Sequence, residues 1–190
     1  GTAVQNINVA IMNDTIDEAD ESFTIALSSP VNATLSDNSS TVTITDDEGQ
    51  PSLSVASASV ADDNTTLSTN VTLSAASALQ IEVDYATSDG TAIDGQDYTS
   101  TSGTLSFVPG QTSLAVAIPI SGDLIDEEDE TFTLILSNPD NATIGTAQAT
   151  MTITDNDPVP TLSISDNSTA DETAATTNLT VSLSAASEKT

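Results

Sequence analysis

The strongest constraint on this chain is that it repeats itself. Gly122-Asp-Leu-Ile-Asp-Glu-Glu-Asp-Glu-Thr-Phe-Thr-Leu-Ile-Leu136 runs five consecutive carboxylates into an alternating apolar stretch. Asn13-Asp-Thr-Ile-Asp-Glu-Ala-Asp-Glu-Ser-Phe-Thr-Ile-Ala-Leu27 has the same arrangement earlier in the chain, with Asp14 answering Asp123, Glu18 answering Glu127 and Phe23 answering Phe132. The same offset also carries Asn32-Ala-Thr34 onto Asn141-Ala-Thr143, Ile44-Thr-Asp46 onto Ile153-Thr-Asp155 and Ser52-Leu-Ser54 onto Thr161-Leu-Ser163. A constant offset means tandem copies of one unit, and a unit of this length can enclose its own core. The 190 residues divide into the C-terminal part of one copy (1–49), a complete copy (50–158) and the N-terminal part of a third (159–190). Neither end piece carries a counterpart of Ile81 to Pro109, so the two cannot together assemble one missing domain, and the chain is expected to be a window on a longer array.

Each copy reads as β-structure. Ile7-Asn-Val-Ala-Ile11, Phe23-Thr-Ile-Ala-Leu27 and Thr41-Val-Thr-Ile-Thr45 alternate apolar and polar residues, which predicts half-buried strands. In the complete copy the pattern predicts strands near 52–60, 69–75, 80–87, 103–108, 113–120, 131–137 and 148–154. Seven short strands separated by turns such as Ser88-Asp-Gly90 and Pro109-Gly110 predict an all-β fold: tandem Ig-like antiparallel β-sandwich domains joined by short linkers, Glu48 to Pro51 and Pro158 to Pro160. Ser, Thr and Val dominate, and their stiff or backbone-competing side chains disfavour helix. The expected core is Leu, Ile and Val with Phe107, Phe132 and Tyr85, while Tyr98 reads as a core or corner residue.

Charge narrows the function. Twenty-nine carboxylates face a single cation, Lys189, for a net charge of −28. Nucleic acid and anionic membrane surfaces are therefore poor partners, and cations are good ones. The regular alternation argues for a folded acidic protein rather than a disordered tail. With no Cys, His or Arg, there is no thiolate, His-based triad or Arg clamp. A glycosidase would need only two carboxylates, but also a cleft and an acid of raised pKa. No catalysis is expected of this segment, and no apolar run is long enough to insert into a membrane.

Tyr85-Ala-Thr-Ser-Asp-Gly-Thr-Ala92, Gly95-Gln-Asp-Tyr98, Gly103-Thr-Leu-Ser-Phe-Val-Pro-Gly110, Gly122-Asp123, Asp126 to Glu130 with Thr131-Phe132, and Ile153-Thr-Asp-Asn-Asp157 follow one another in order. In this the chain resembles the Calx-β domain, the calcium-binding sandwich of sodium–calcium exchangers and of long bacterial surface proteins, and the resemblance covers the complete copy and both partial ones. It implies a Ca2+ site at one tip of each sandwich. Carried over residue by residue, the implied ligands are Asp62, Asp97, Asp123, Glu127, Glu130, Asp155 and Asp157 in the complete copy. In the preceding copy they are Asp14, Glu18, Glu21, Asp46, Asp47 and Glu48, and in the last piece Asp171, the counterpart of Asp62. Asp126, Glu128 and Asp129 are expected to be the solvated members of the acidic run.

Two functional classes follow. In one, Ca2+ at each tip stiffens the junction with the neighbouring repeat, and the array forms a rod or fibre, alone or with other copies, in adhesion or assembly at a bacterial cell surface. In the other, the domain is a regulatory calcium sensor of the exchanger type. Tandem copies on short linkers favour the first, which places the protein outside the cell.

Overall fold

The computed structural model describes residues 4–63, 65–166, 172–173, 176 and 178–189. The first piece contributes β1 (Glu21–Ala26) and β2 (Ser39–Ile44), paired antiparallel as a hairpin. The middle contributes β3 (Ser52–Val55), β4 (Ala58–Ala61), β5 (Thr66–Leu73), β6 (Ile81–Ser88), β7 (Ser102–Phe107), β8 (Ser113–Pro119), β9 (Glu130–Asp140), β10 (Thr143–Thr146) and β11 (Gln148–Thr154). The last piece contributes β12 (Leu162–Ile164) and β13 (Val181–Leu183), also an antiparallel pair. The middle strands form two sheets, ordered β10-β3-β5-β8 and β4-β11-β9-β6-β7.

The sheets close on each other because their sequences alternate. Every second residue of β5 is buried, namely Leu67, Thr69, Val71 and Leu73, and Phe132, Leu134 and Leu136 of β9 face them from the other sheet within one core. Tyr98 lies inside this core, its ring stacked on Phe132 at a centroid distance of 4.1 Å. Its hydroxyl donates to Asp89 Oδ1 at 2.6 Å, so the one polar atom of the ring is satisfied. Tyr85, expected inside, is only half-buried at the core's margin.

The stretch expected as a single strand over 52–60 is two strands on different sheets. At Ala56-Ser57 the chain steps from β3, which pairs with β5, to β4, which pairs with β11. Two side chains cover the polar groups exposed by the step: Thr69 Oγ1 donates to the Ala56 carbonyl at 2.6 Å, and Ser57 Oγ accepts from the Thr150 amide at 3.2 Å. This crossing makes the sandwich mixed rather than purely antiparallel, because β4 runs parallel to β11 and β3 parallel to β10. Strand β10 is an addition to the expected seven.

The predicted strand at Ile7–Ile11 forms no ladder among the described residues. Its counterpart in the complete copy belongs to β8, which pairs with β5, and residues 1–48 contain no counterpart of β5. Without that partner Ile7, Val9 and Ile11 stay exposed, as do Leu162, Ile164, Val181 and Leu183 of the last piece. The first piece also shares a turn with the complete copy: Ser29 and Asn32 have φ of 53° and 54°, and Asn138 and Asn141 have 49° and 55°. Asn accepts this left-handed conformation more readily than most residues.

The topology gathers the acids. Ala61 and Thr154 lie side by side where β4 and β11 end, Glu130 starts β9 beside Ile153, and Thr66 of β5 pairs with Pro119 at the end of β8. The segments holding Asp62, Asp123, Glu130, Asp155 and Asp157 thus all leave the sandwich at one end.

Candidate metal centre

Strand ends set the position of each acid. Asp62 follows β4 directly and is tied to β11 by its amide, which donates to the Thr154 carbonyl at 3.1 Å. Gly122 is pressed against it: a Cβ there would stand 1.9 Å from the Asp62 carbonyl oxygen, so only glycine lets the loop after β8 approach so closely. Asp123 Oδ1 accepts from the Ile125 amide at 2.7 Å, which turns the acidic loop back toward β9. Asp97 is held by the Ile93 amide on its Oδ2 at 2.7 Å, and its carbonyl accepts from the Ser121 amide at 2.9 Å.

Asp62, Asp155 and Asp157 each place a carboxylate oxygen within 4.8 Å of the other two. Asp62, Asp97, Asp123, Glu127, Glu130 and Asp155 line one small cavity at this tip, as does the exposed Glu128. Among the described residues the buried oxygens Asp62 Oδ1 and Asp157 Oδ2 have no hydrogen-bond partner. A carboxylate oxygen buried without a donor is costly, and two in one acidic cluster mark a place where a cation belongs. The donors are all oxygen, as they must be in a chain without His or Cys, which suits a hard divalent ion such as calcium or magnesium and not zinc.

The electrostatics agree. Burial, then the charge of Asp97, pushes Glu130 up to about 7. Glu127 is raised by burial and by Asp123, and Asp157 by burial and by Asp62. Asp155 is instead lowered, first by its hydrogen bond from Lys189, whose Nζ lies 3.0 Å from Asp155 Oδ2.

In the first piece Asp14, Glu18, Glu21, Asp46, Asp47 and Glu48 line a single cavity together. The local bonds match those of the complete copy. Asp14 Oδ1 accepts from the Ile16 amide at 2.8 Å as Asp123 does from Ile125. The Asp46 amide donates to Asp20 Oδ1 at 3.0 Å as the Asp155 amide does to Asp129 Oδ1 at 3.1 Å. Asp14 raises the pKa of Glu18, and burial followed by Asp47 raises that of Glu48. Asp171 lies outside the described residues.

One expectation about the acidic run changes. Asp126, expected in solvent, is 2% exposed and takes hydrogen bonds from Ser187 and Lys189, which lower its pKa, Lys189 most. Asp129 is exposed, as expected, and also accepts from the Asp155 amide. A signal for Asp126 is present in the sequence, since Asp17 occupies the same place in the preceding copy and the Leu-Ser-Ala-Ala-Ser that supplies its partner occurs at both 73–77 and 183–187.

Comparison with known proteins places this geometry. The Calx-beta domain model matches residues 1–48 and 45–157. A 56-residue segment is 50% identical to sodium/calcium exchanger 1 of the dog, Canis lupus familiaris, covering 30% of this chain and only 6% of the exchanger. Among solved structures, the apo-form Calx CBD1 domain superposes with a TM-score of 0.55 at 28% identity, over 57% of this chain and all of that one. The calcium binding domain CBD12 of CALX1.1 gives 0.54 at 28% identity, over 60% of this chain and 50% of that one. With a sandwich of the same kind, the acids at one tip and two consecutive matches that take in most of its length, the chain belongs to the Calx-beta domain family.

Proposed function

We propose that this chain is a run of calcium-binding modules, divided at 1–49, 50–158 and 159–190, in which Ca2+ completes the tip of each sandwich. Asp62, Asp97, Asp123, Glu127, Glu130, Asp155 and Asp157 supply the ligands in the complete module, and Asp14, Glu18, Glu21, Asp46, Asp47 and Glu48 supply them in the one before. The observation that carries this reading is the pair of partnerless buried oxygens on Asp62 and Asp157, beside Asp155. The modules bind and stiffen; they do not catalyse. Melting of the full chain in chelator and in millimolar calcium tests the proposal. A ligand selective for the folded state stabilises by about 2.7 kcal/mol at a hundredfold excess over Kd, and coincident melts would refute it.

Two biological settings use such a module. Repetition on short linkers supports an extracellular rod or fibre at a cell surface, engaged in adhesion or assembly. The identity to exchanger 1 supports a regulatory sensor. Affinity separates them. Sensor sites titrate at roughly 10⁻⁷–10⁻⁵ M and extracellular modules at roughly 10⁻⁴–10⁻³ M. For the rod, calorimetry should give the weaker range, and scattering from three complete modules should show an extended particle in calcium and a broader distribution of shapes in chelator. A micromolar or tighter site with scattering indifferent to calcium would favour the sensor.

A further inference from the structure

The acidic loop carries a second device beside the metal centre, and it occurs twice. At the first junction Asp17, 6% exposed, bridges to Ser77, 2% exposed, which ends the turn after β5. Ser77 Oγ lies 2.6 Å from Asp17 Oδ2 and 3.0 Å from the Asp17 carbonyl oxygen, and donates its proton toward them. The Ala78 amide donates to the same Asp17 carbonyl at 2.9 Å. Ser77 Oγ in turn accepts from the Leu79 amide at 3.0 Å, which fixes the hydroxyl's direction.

The second junction repeats each bond. Ser187 Oγ lies 2.8 Å from Asp126 Oδ2 and 3.2 Å from the Asp126 carbonyl, the Glu188 amide donates to that carbonyl at 3.0 Å, and the Lys189 amide donates to Ser187 Oγ at 3.2 Å. Asp126 is the counterpart of Asp17 one copy further on, and Ser187 closes the second Leu-Ser-Ala-Ala-Ser as Ser77 closes the first. Four bonds recurring one for one between different pairs of modules are unlike adventitious surface contacts. Each buries a carboxylate, which is tolerable only with such charge-assisted donors.

We propose that Asp17 and Asp126 are docking residues, not metal ligands: each seats its module on the Leu-Ser-Ala-Ala-Ser turn of the next, and that turn is an interaction surface whose partner is the acidic loop of another module of the same kind. The inference rests on the modular reading but not on calcium. Because Glu18 and Glu127 directly follow the docking residues, the clasp fixes one side of the metal cavity to the neighbouring module. At the second junction Lys189 adds its ammonium, 2.7 Å from Asp126 Oδ1, where the first junction has Leu79.

Amide hydrogen exchange on the full chain, in chelator, tests this directly. The Ala78 and Glu188 amides are donated across the junctions, whereas the Leu73 amide, bonded to the Thr112 carbonyl at 2.9 Å, reports the sandwich alone. Ser77→Ala and Asp17→Ala should each remove protection from Ala78 and leave Leu73 and Glu188 protected. Ser187→Ala should do the converse at Glu188, and Asp17→Asn, which keeps a carbonyl acceptor, should retain part of the Ala78 protection. Unchanged Ala78 protection in both first-junction variants would overturn the docking role. So would loss of Leu73 protection along with it, since that would make the pair part of the sandwich's own stability. A calcium titration of the same variants separates this outcome from failure of the metal reading, because the docking prediction is complete without the ion.

Discussion

Gly122→Ala is the sharpest single test of how the tip is built. A Cβ at residue 122 would lie 1.9 Å from the Asp62 carbonyl oxygen and 2.7 Å from its carbonyl carbon, both backbone atoms that no side-chain rotation can move aside. Real Cβ atoms stay beyond 3.0 Å from such neighbours, so relief requires the loop after β8 to retreat from the end of β4. That motion strains the Asp62 amide bond to Thr154, which ties β4 to β11 at the tip. Overpacking of this kind costs about 1–3 kcal/mol, which lowers Tm by at least ~4 °C in a domain of this size. The displacement also separates Asp123 from Asp62, so the gain in Tm between chelator and calcium should shrink as well. Differential scanning calorimetry of the parent, Gly122→Ala and Gly49→Ala in both conditions measures the two effects. A methyl group at Gly49 would meet nothing within 4 Å, so that variant should change neither. A Gly122→Ala protein that melts with the parent and gains equally from calcium would show that the tip is slack, and the reasoning from backbone contact would fail.

Three other outcomes follow from the same geometry. Asp155→Asn should weaken calcium binding several-fold in calorimetry, whereas Glu128→Ala, at an exposed position and with Ala19 in the equivalent place, should leave it unchanged; the reverse order would refute the ligand assignment. Lys189→Met removes the ammonium that holds Asp155 at 3.0 Å and competes with a metal for it, so calcium affinity in the complete module should rise, and a fall would mean that Lys189 assembles the site instead. Without metal, Glu130 has a folded-state pKa of about 7, above its ordinary value of 4.5, so its contribution to stability is complete below pH ~4.5 and lost as pH rises through 7. Glu127, Asp157, Glu18 and Glu48 are shifted in the same direction. Tm in chelator should therefore fall between pH 5 and pH 8, and saturating calcium, which binds the ionised carboxylates, should flatten or reverse that slope.

The repeat, the all-β class and the identity of the acids are legible in the linear sequence. All three depend on patterns that survive in one dimension: a constant offset between copies, an alternation of period two, and residue types whose chemistry is the same wherever they sit. The candidate ligands Asp62, Asp97, Asp123, Glu127, Glu130 and Asp155 are those that the resemblance to the Calx-β domain implies, and the fold brings them to one cavity. Spacing could not say which acids of the run Asp126 to Glu130 turn inward, because five adjacent carboxylates in a loop have no period. That was decided by what the loop meets in space: Asp126 is buried by Ser187, far along the chain, and Asp129 is turned to the amide of Asp155. The crossing of Ala56-Ser57 between sheets was equally invisible, since a strand that changes sheets keeps its alternation on both sides of the step. The exposure of Ile7, Val9 and Ile11 makes the same point from the other direction. Their sequence specifies a strand, but a strand is stable only against a ladder partner, and the equivalent strand β8 of the complete copy finds its partner in β5, distant in the chain and brought beside it only by the fold.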